Sequence, residues 1–308
     1  MKLVILVTGA SSAFGALTVR ELAQAGHIVY ASMHATEQYN ATQVQAARRF
    51  ALEQKVDLRT VDLDMKSEAS AQAAVQTVLR ECGRLDVVVH NEGHMVFGPA
   101  EAFTTDQLAE LYDINVLSTQ RINCAVLPVM RRQGNGLVIW LGSSSTRGGT
   151  PPYLGPYFAS KAAMDALALS YAGELARWNI ETSIIVPGAL TSSTSHFDRL
   201  GLPNNKARLE EYQLGPTSNL ARRIMRGFEA TAPMHSNAIQ AAEAIVKLVA
   251  MPFGTRPLRV YVDVSRLGAM SAVDAADHVR EELLRDMGLG DLLRPSSSRP
   301  PEEISIYA

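Results

Sequence analysis

The sequence predicts a single doubly wound α/β domain, a seven-stranded, mostly parallel sheet with helices on both faces. Three observations predict it. Short apolar runs rich in β-branched residues alternate with longer segments of helical period, the pattern of repeated strand–helix–strand units. The first such run leads directly into a glycine-bearing turn and a helix. The chain of 308 residues, 47% hydrophobic, can build one large core and does not require two.

The elements follow in order. Lys2-Leu3-Val4-Ile5-Leu6-Val7 has the composition of a buried parallel strand. It is too short for the apolar region of a secretory leader, and no small-residue cleavage site precedes the turn. Thr8-Gly9-Ala10-Ser11-Ser12-Ala13-Phe14-Gly15 forms the turn, and a helix with Leu17, Val19, Leu22 and Ala25 apolar runs to Gly26. Further strands are expected near 28–32, 56–61, 85–90, 137–142, 181–186 and 258–263, with helices that include 101–113, 115–133 and 158–178. An amphipathic helix is expected over Ala272–Met287, with Val273, Ala276, Val279, Leu283 and Leu284 on its apolar side. The Pro295–Pro301 stretch reads as a flexible tail. Residues 1–265 are therefore assigned to the catalytic domain and 266–308 to a helical extension and tail.

Composition narrows the function. A net charge of −2 gives no electrostatic case for nucleic acid or an anionic membrane surface. No apolar run approaches the ~20 residues needed to span a bilayer. Cys82 and Cys124 are the only cysteines and have no metal-ligand spacing, so a reduced, cytoplasmic protein without a metal is expected.

The glycine turn is a phosphate cradle in outline. Glycines let the backbone approach a pyrophosphate, and the unpaired N–H groups of the first helical turn point at it. Farther along, Tyr157 and Lys161 stand four residues apart, on one face of a predicted helix. A free phenol titrates near ~10, and a neighbouring ammonium is expected to lower that value, making Tyr157 a usable general acid or base.

Taken together, these residues resemble the classical branch of the short-chain dehydrogenase/reductase family, from about Lys2 to about Val264. Thr8-Gly9-x-x-x-Ala13-x-Gly15 is similar to that family's TGxxxGxG cofactor motif, with Ala13 in place of the middle glycine. His90-Asn91-Glu92-Gly93 resembles its NNAG motif, keeping the second Asn and the Gly. Asn115, the serines after the fifth strand, Tyr157-x-x-x-Lys161 and Pro187-Gly188-Ala189-Leu190-Thr191 follow in the family's order.

The resemblance implies a Rossmann-type fold and an NAD(P)-dependent oxidoreductase interconverting an alcohol and a carbonyl. Asn115, Ser144, Tyr157 and Lys161 would be catalytic. Tyr157 would move the proton, Ser144 would steady the carbonyl oxygen, Lys161 would lower the tyrosine and bind the nicotinamide ribose, and Asn115 would hold a relay water. Ser144 is chosen because it lies thirteen positions before Tyr157; anchoring on the strand instead selects Ser143, and the spacing to Gly148 selects Ser145. The cofactor would lie on Gly9, Ser11, Ser12, Phe14, Gly15, His34, Asp64, Asn91, Gly93, Tyr157, Lys161, Pro187, Gly188 and Thr191, with Asp62 the alternative to Asp64. Between Ile28 and Thr36 no acid is available for a ribose 2′-hydroxyl, and His34 stands where NADP-preferring members often carry an arginine, so NADP is favoured over NAD.

The two departures carry their own expectations. Ala13 adds a methyl where the family packs the helix closely on the sheet. Glu92 sets a carboxylate beside a polyanionic cofactor, where it either points away or binds a ribose hydroxyl. They sustain an alternative, a catalytically idle relative that binds dinucleotide as a structural or sensing ligand.

The substrate would be a small apolar ketone or aldehyde, reduced in a pocket capped by the insert at about 190–236. Its candidate lining is His196, Phe197, Leu200, Leu202, Tyr212, Leu214, Met225, Phe228 and Met234, with His94, Met95, Phe97, Pro151 and Tyr153 at the rim. Classical members are commonly homodimers or homotetramers, and the same is expected here.

Overall fold

Each β-branched run becomes a strand. The computed structural model describes residues 2–146, 151–187, 200–231, 238–262 and 269–295. In it β1 (Val4–Val7), β2 (Ile28–Met33), β3 (Leu58–Asp62), β4 (Val87–His90), β5 (Gly136–Leu141), β6 (Ile180–Pro187) and β7 (Arg259–Val262) form one sheet. Its order is β3-β2-β1-β4-β5-β6-β7, and every neighbouring pair is parallel. β1 and β4 are buried along their whole length, which explains why β1 and the first three residues of β4 are continuously apolar rather than alternating.

Helices cover both faces. On one side α1 (Ala13–Gln24), α2 (Ala41–Gln54) and α9 (Ala238–Ala250) bury Phe14, Leu22, Val44, Ile245 and Leu248 against Ile5, Val29 and Val87. On the other, α3 (Glu68–Cys82), α5 (Ser118–Gln133) and α6 (Gly155–Ala176) bury Val78, Ile122, Val126, Met164 and Ala168 against Leu6, Val88 and Trp140. Each fully buried aliphatic side chain contributes about 1.5–3 kcal/mol relative to exposure.

Between β4 and α5 the chain forms α4 (Thr105–Tyr112) and then a π-helical turn, Asp113–Leu117, that runs without a break into α5. The two helices expected there are thus one bent rod. Its entry is fixed by a capping box in which Thr104 and Gln107 satisfy each other's backbone N–H groups.

After β6 come α7 (Lys206–Leu214) and α8 (Leu220–Thr231). The expected C-terminal helix is α10 (Ala269–Asp286), starting three residues before the predicted Ala272. It is tied to the sheet by Arg259 on β7. That guanidinium donates to both carboxylate oxygens of Asp165 on α6, at 2.5 and 2.9 Å, and to Asp277 on α10 at 2.5 Å.

The strand order reverses beside β1, where β2 lies on one side and β4 on the other. Loops leaving the carboxyl ends of β1 and β4 therefore diverge and open a crevice. The register pairs Val7 with both Ala31 and Val89, and His90 with Trp140, so the ends of β1, β2, β4 and β5 lie along one rim.

Candidate active site

The glycine turn rises from β1 onto that rim. Gly9 has φ of +63°, a left-handed conformation that glycine adopts without a Cβ penalty. Ser12 caps α1, its hydroxyl accepting from the Gly15 N–H at 3.0 Å. The N–H groups of Ala13 and Phe14, in the first helical turn, have no backbone partner and face outward from the helix end.

Close packing of helix on sheet falls at Gly15, where an added Cβ would lie 2.4 Å from the Gly9 carbonyl and 2.7 Å from Asn91 Nδ2. Ala13 is exposed, so its methyl does not enter that contact and the expected crowding there is corrected. Phe14 turns its ring into the core, leaving its backbone as the part available to a ligand.

Asn91, at the end of β4, ties the turn to the sheet. Its amide donates to the carbonyls of Thr8 and Gly9 at 3.0 and 3.2 Å, while its own Oδ1 is buried without a partner. That orphaned acceptor, the outward helix N–H groups and the left-handed glycine suit a dinucleotide with its pyrophosphate over the turn and hydroxyls beside β4. Gly93 follows, and a Cβ there would stand 3.1 Å from Lys161 Nζ.

At the tip of β2, His34 is exposed. Asp62 receives the Thr36 N–H and hydroxyl at 3.0 and 2.8 Å. Those bonds, helped by His34, outweigh burial and hold its carboxyl below the ordinary value. Asp64 turns back to accept the Lys66 N–H at 2.9 Å. Pro187 ends β6 on the same rim, whereas Gly188 and Thr191 lie outside the described residues.

α6 carries Tyr157 and Lys161 to the rim, both buried, at 9% and 3% exposure. The serine that hydrogen-bonds the Tyr157 phenol is Ser143. Ser144 instead opens a short 3₁₀ turn, Ser144–Thr146. Spacing back from the tyrosine therefore selects the wrong neighbour, because the loop before α6 is one residue longer than that count assumes; anchoring on β5 selects the right one.

The phenol is pushed up by burial, with the Ser143 bond opposing, and no lowering by Lys161 is found. The ammonium is engaged elsewhere, donating to the Leu141 carbonyl at 3.1 Å and the Glu92 carbonyl at 3.4 Å. Burial brings Lys161 down to about 8, against the pull of the Glu92 carboxylate.

Asn115 sits in the π-helical turn, fully buried. Its Oδ1 accepts the His94 N–H at 2.7 Å, and its Nδ2 donates to the His94 carbonyl at 3.0 Å and to Ser160 Oγ at 2.8 Å. Those three bonds brace the β4 exit against α6 and leave Oδ1 one further acceptor position. Ser160, which also donates to the Tyr157 carbonyl at 2.8 Å, completes that brace and was missed in the sequence. Its place in Tyr157-Phe158-Ala159-Ser160-Lys161, between the two reactive residues, was the available signal.

Tyr157 belongs to an apolar cluster. Val96, Phe97, Phe103, Leu111, Leu154 and Phe158 form it with Met95, Tyr153, Leu200, Ile224, Met225 and Phe228 packed against them. Residues 95–97 and Gly201 zip together through Gly201 N–H to the Met95 carbonyl and Phe97 N–H to the Gly201 carbonyl, both 2.9 Å. Leu202 and Leu214 face outward, at 57% and 78% exposure, and Tyr212 bonds Glu101 at 2.9 Å, so these three are not part of the cluster. The His94 ring lies against Gly201, and Pro151 is half-buried but outside the cluster. His196, Phe197 and Met234 fall outside the described residues.

Known proteins share this arrangement. Residues 3–200 match the model of the family described as short chain dehydrogenase. The chain is 36% identical to 17-beta-hydroxysteroid dehydrogenase type 1 of Homo sapiens over 188 residues, 60% of this chain and 56% of that enzyme, so the match spans just over half of its length. It is 29% identical to 3-ketodihydrosphingosine reductase of Bacteroides thetaiotaomicron over 209 residues, 68% of this chain and 71% of that one. The structure of a short-chain dehydrogenase from Streptomyces avermitilis superposes with a TM-score of 0.69 at 26% identity, covering 94% of this chain and 99% of that one. The match runs from the glycine turn through the tyrosine helix and past the sixth strand, and the chain belongs to the short-chain dehydrogenase family of oxidoreductases, enzymes that act on CH–OH groups.

Proposed function

We propose that the protein is an NADPH-dependent reductase of an apolar ketone or aldehyde, with Tyr157 as the proton donor. The observation that carries this reading is the buried Tyr157 phenol, bonded to Ser143 and set among apolar side chains. Burial keeps the phenol protonated at neutral pH, the form that donates to a carbonyl oxygen as charge develops there. Ser143 is placed to give a second hydrogen bond to the same oxygen. Lys161, brought down to about 8 by burial, can give up and regain a proton near neutrality beside the site. Bound over the glycine turn, the nicotinamide cofactor supplies the hydride.

The preference for NADPH rests on the tip of β2. Thr36 holds one oxygen of Asp62, Oδ2, and the exposed His34 at the strand tip offers its ring to a ribose 2′-phosphate. The apolar substrate rests on the apolar cluster around Tyr157 and on the two relatives, whose names denote a steroid and a sphingoid-base enzyme. We assign Gly9, Ser11, Ser12, Phe14, Gly15, Asn91, Gly93, Pro187, Gly188 and Thr191 to cofactor binding, with Asp64 at the adenine side, and residues 1–265 to the catalytic domain.

Tyr157→Phe tests the reading. Turnover of ketone substrates should fall by at least ~10²-fold, the size of a lost general acid, while NADPH affinity stays within about threefold. Turnover retained in that variant would remove Tyr157 from the chemistry.

A further inference from the structure

Glu92 does not fit the cradle in the way its neighbours do. Its carboxylate lies over the glycine turn: a Cβ added to Gly9 would meet Glu92 Oε1 at 2.4 Å, Cδ at 2.5 Å and Oε2 at 2.9 Å. The atoms that crowd the left-handed glycine are thus the two charged oxygens of an acid. The same turn carries the helix N–H groups suited to a pyrophosphate. An anionic side chain and an anionic ligand therefore compete for one stretch of backbone.

We propose that Glu92 is a proton-operated gate on the dinucleotide cradle, admitting the pyrophosphate when the side chain is a neutral acid and opposing it when it is a carboxylate. The inference rests on the dinucleotide-binding reading above and adds a linked proton to it.

The charges around the group support a gate that works near neutrality. On α6, Lys161 attracts the carboxylate, and Tyr157 beside it is a neutral phenol raised by burial. In its own segment His90 is buried, hydrogen-bonded to Asn123 and pushed down to about 4, and His94 is also lowered by burial, so neither supplies a cation at neutral pH. The turn from Thr8 to Phe14 and the end of β5 from Leu141 to Ser144 bring no titratable side chain among the described residues. Burial outweighs the single cation, and the Glu92 carboxyl stands at about 7.

The test is binding of NADH and NADPH to the purified full chain between about pH 6 and pH 8, by calorimetry in two buffers of different ionisation heat. NADH has no titrating phosphate in that range, so it isolates the protein's proton. For a group at about 7, wild-type protein should bind NADH about tenfold more weakly at the upper pH and take up about half a proton per site at the midpoint. Glu92→Gln should bind with little change across the range and no proton uptake. Glu92→Ala, smaller and uncharged, should behave the same and guards against a fault specific to glutamine. Loss of Glu92 also removes the carboxylate that raises Lys161, so the comparison is repeated with Lys161→Met and Lys161→Met/Glu92→Gln, between which only the Glu92 proton differs. Wild-type binding that is pH-independent, or a slope that survives the loss of Glu92 in the Lys161→Met pair, would overturn the gate and leave the cofactor reading standing. No binding of either dinucleotide by any of these proteins would overturn both.

Discussion

Two side chains at the site differ from what spacing suggests, and each difference has a measurable consequence. Ser143 holds the phenol, so Ser143→Ala should lower kcat by about 10²-fold as the carbonyl oxygen loses a donor, while Ser144→Ala should stay within about threefold of wild type. Steady-state kinetics on one ketone substrate decides between them; the reverse ranking would restore Ser144. Glu92 also bears on stability. Its folded-state value is raised to about 7, so the folded protein binds that proton more tightly than the unfolded chain. The resulting stability is present at low pH, is lost as pH rises through about 7, and the full cost of the buried carboxylate remains above it. Glu92→Gln should therefore raise Tm by a few degrees at about pH 8 and leave it nearly unchanged at about pH 5, measured by thermal unfolding. The serine was half legible: anchoring on the strand gave Ser143, but counting back from Tyr157 gave Ser144 because the loop before α6 holds one more residue than that count assumes. The orientation of Glu92 was not legible, since it depends on how β4 and the glycine turn meet.

Among the elements, the strands were the most legible. Val4–Val7 and Val87–Val89 are buried on both faces and apolar throughout, which is why they stood out. The π-helical turn at Asn115 was read as a boundary between two helices, 101–113 and 115–133, because the insertion that joins them is fixed by tertiary bonds to His94 and Ser160. The docking of α10 was equally hidden. It depends on Arg259, Asp165 and Asp277, far apart in sequence, whose side chains are 4%, 2% and 16% exposed. Removing the guanidinium leaves Asp165 buried and unpaired, so Arg259→Ala should cost about 3–5 kcal/mol in denaturant unfolding. Asp277→Asn keeps the bidentate Asp165 pair and should cost clearly less; equal losses would mean that the α10 contact dominates.

For the whole molecule, the alternation of strands and helices was enough to give the doubly wound sheet, and its reversal beside β1 put the crevice where the motifs converge. No described helix is long and apolar enough to cross a membrane. The apolar cluster around Tyr157 was half legible. Met95, Phe97, Tyr153, Leu200, Met225 and Phe228 were found, but Leu202 and Leu214 were not separable from them because their outward facing is set by how α7 and the segment before it lie on the domain. The central claim concerns the molecule as a dinucleotide-dependent reductase, and it is tested most directly by titrating the purified protein with NADPH and with NADH at about pH 6, following nicotinamide fluorescence and thermal unfolding together. The account predicts saturable NADPH binding, tighter than NADH, with a stabilisation of about 2.7 kcal/mol at a hundredfold excess over Kd. Absence of any fluorescence change or thermal shift with both nucleotides would contradict it.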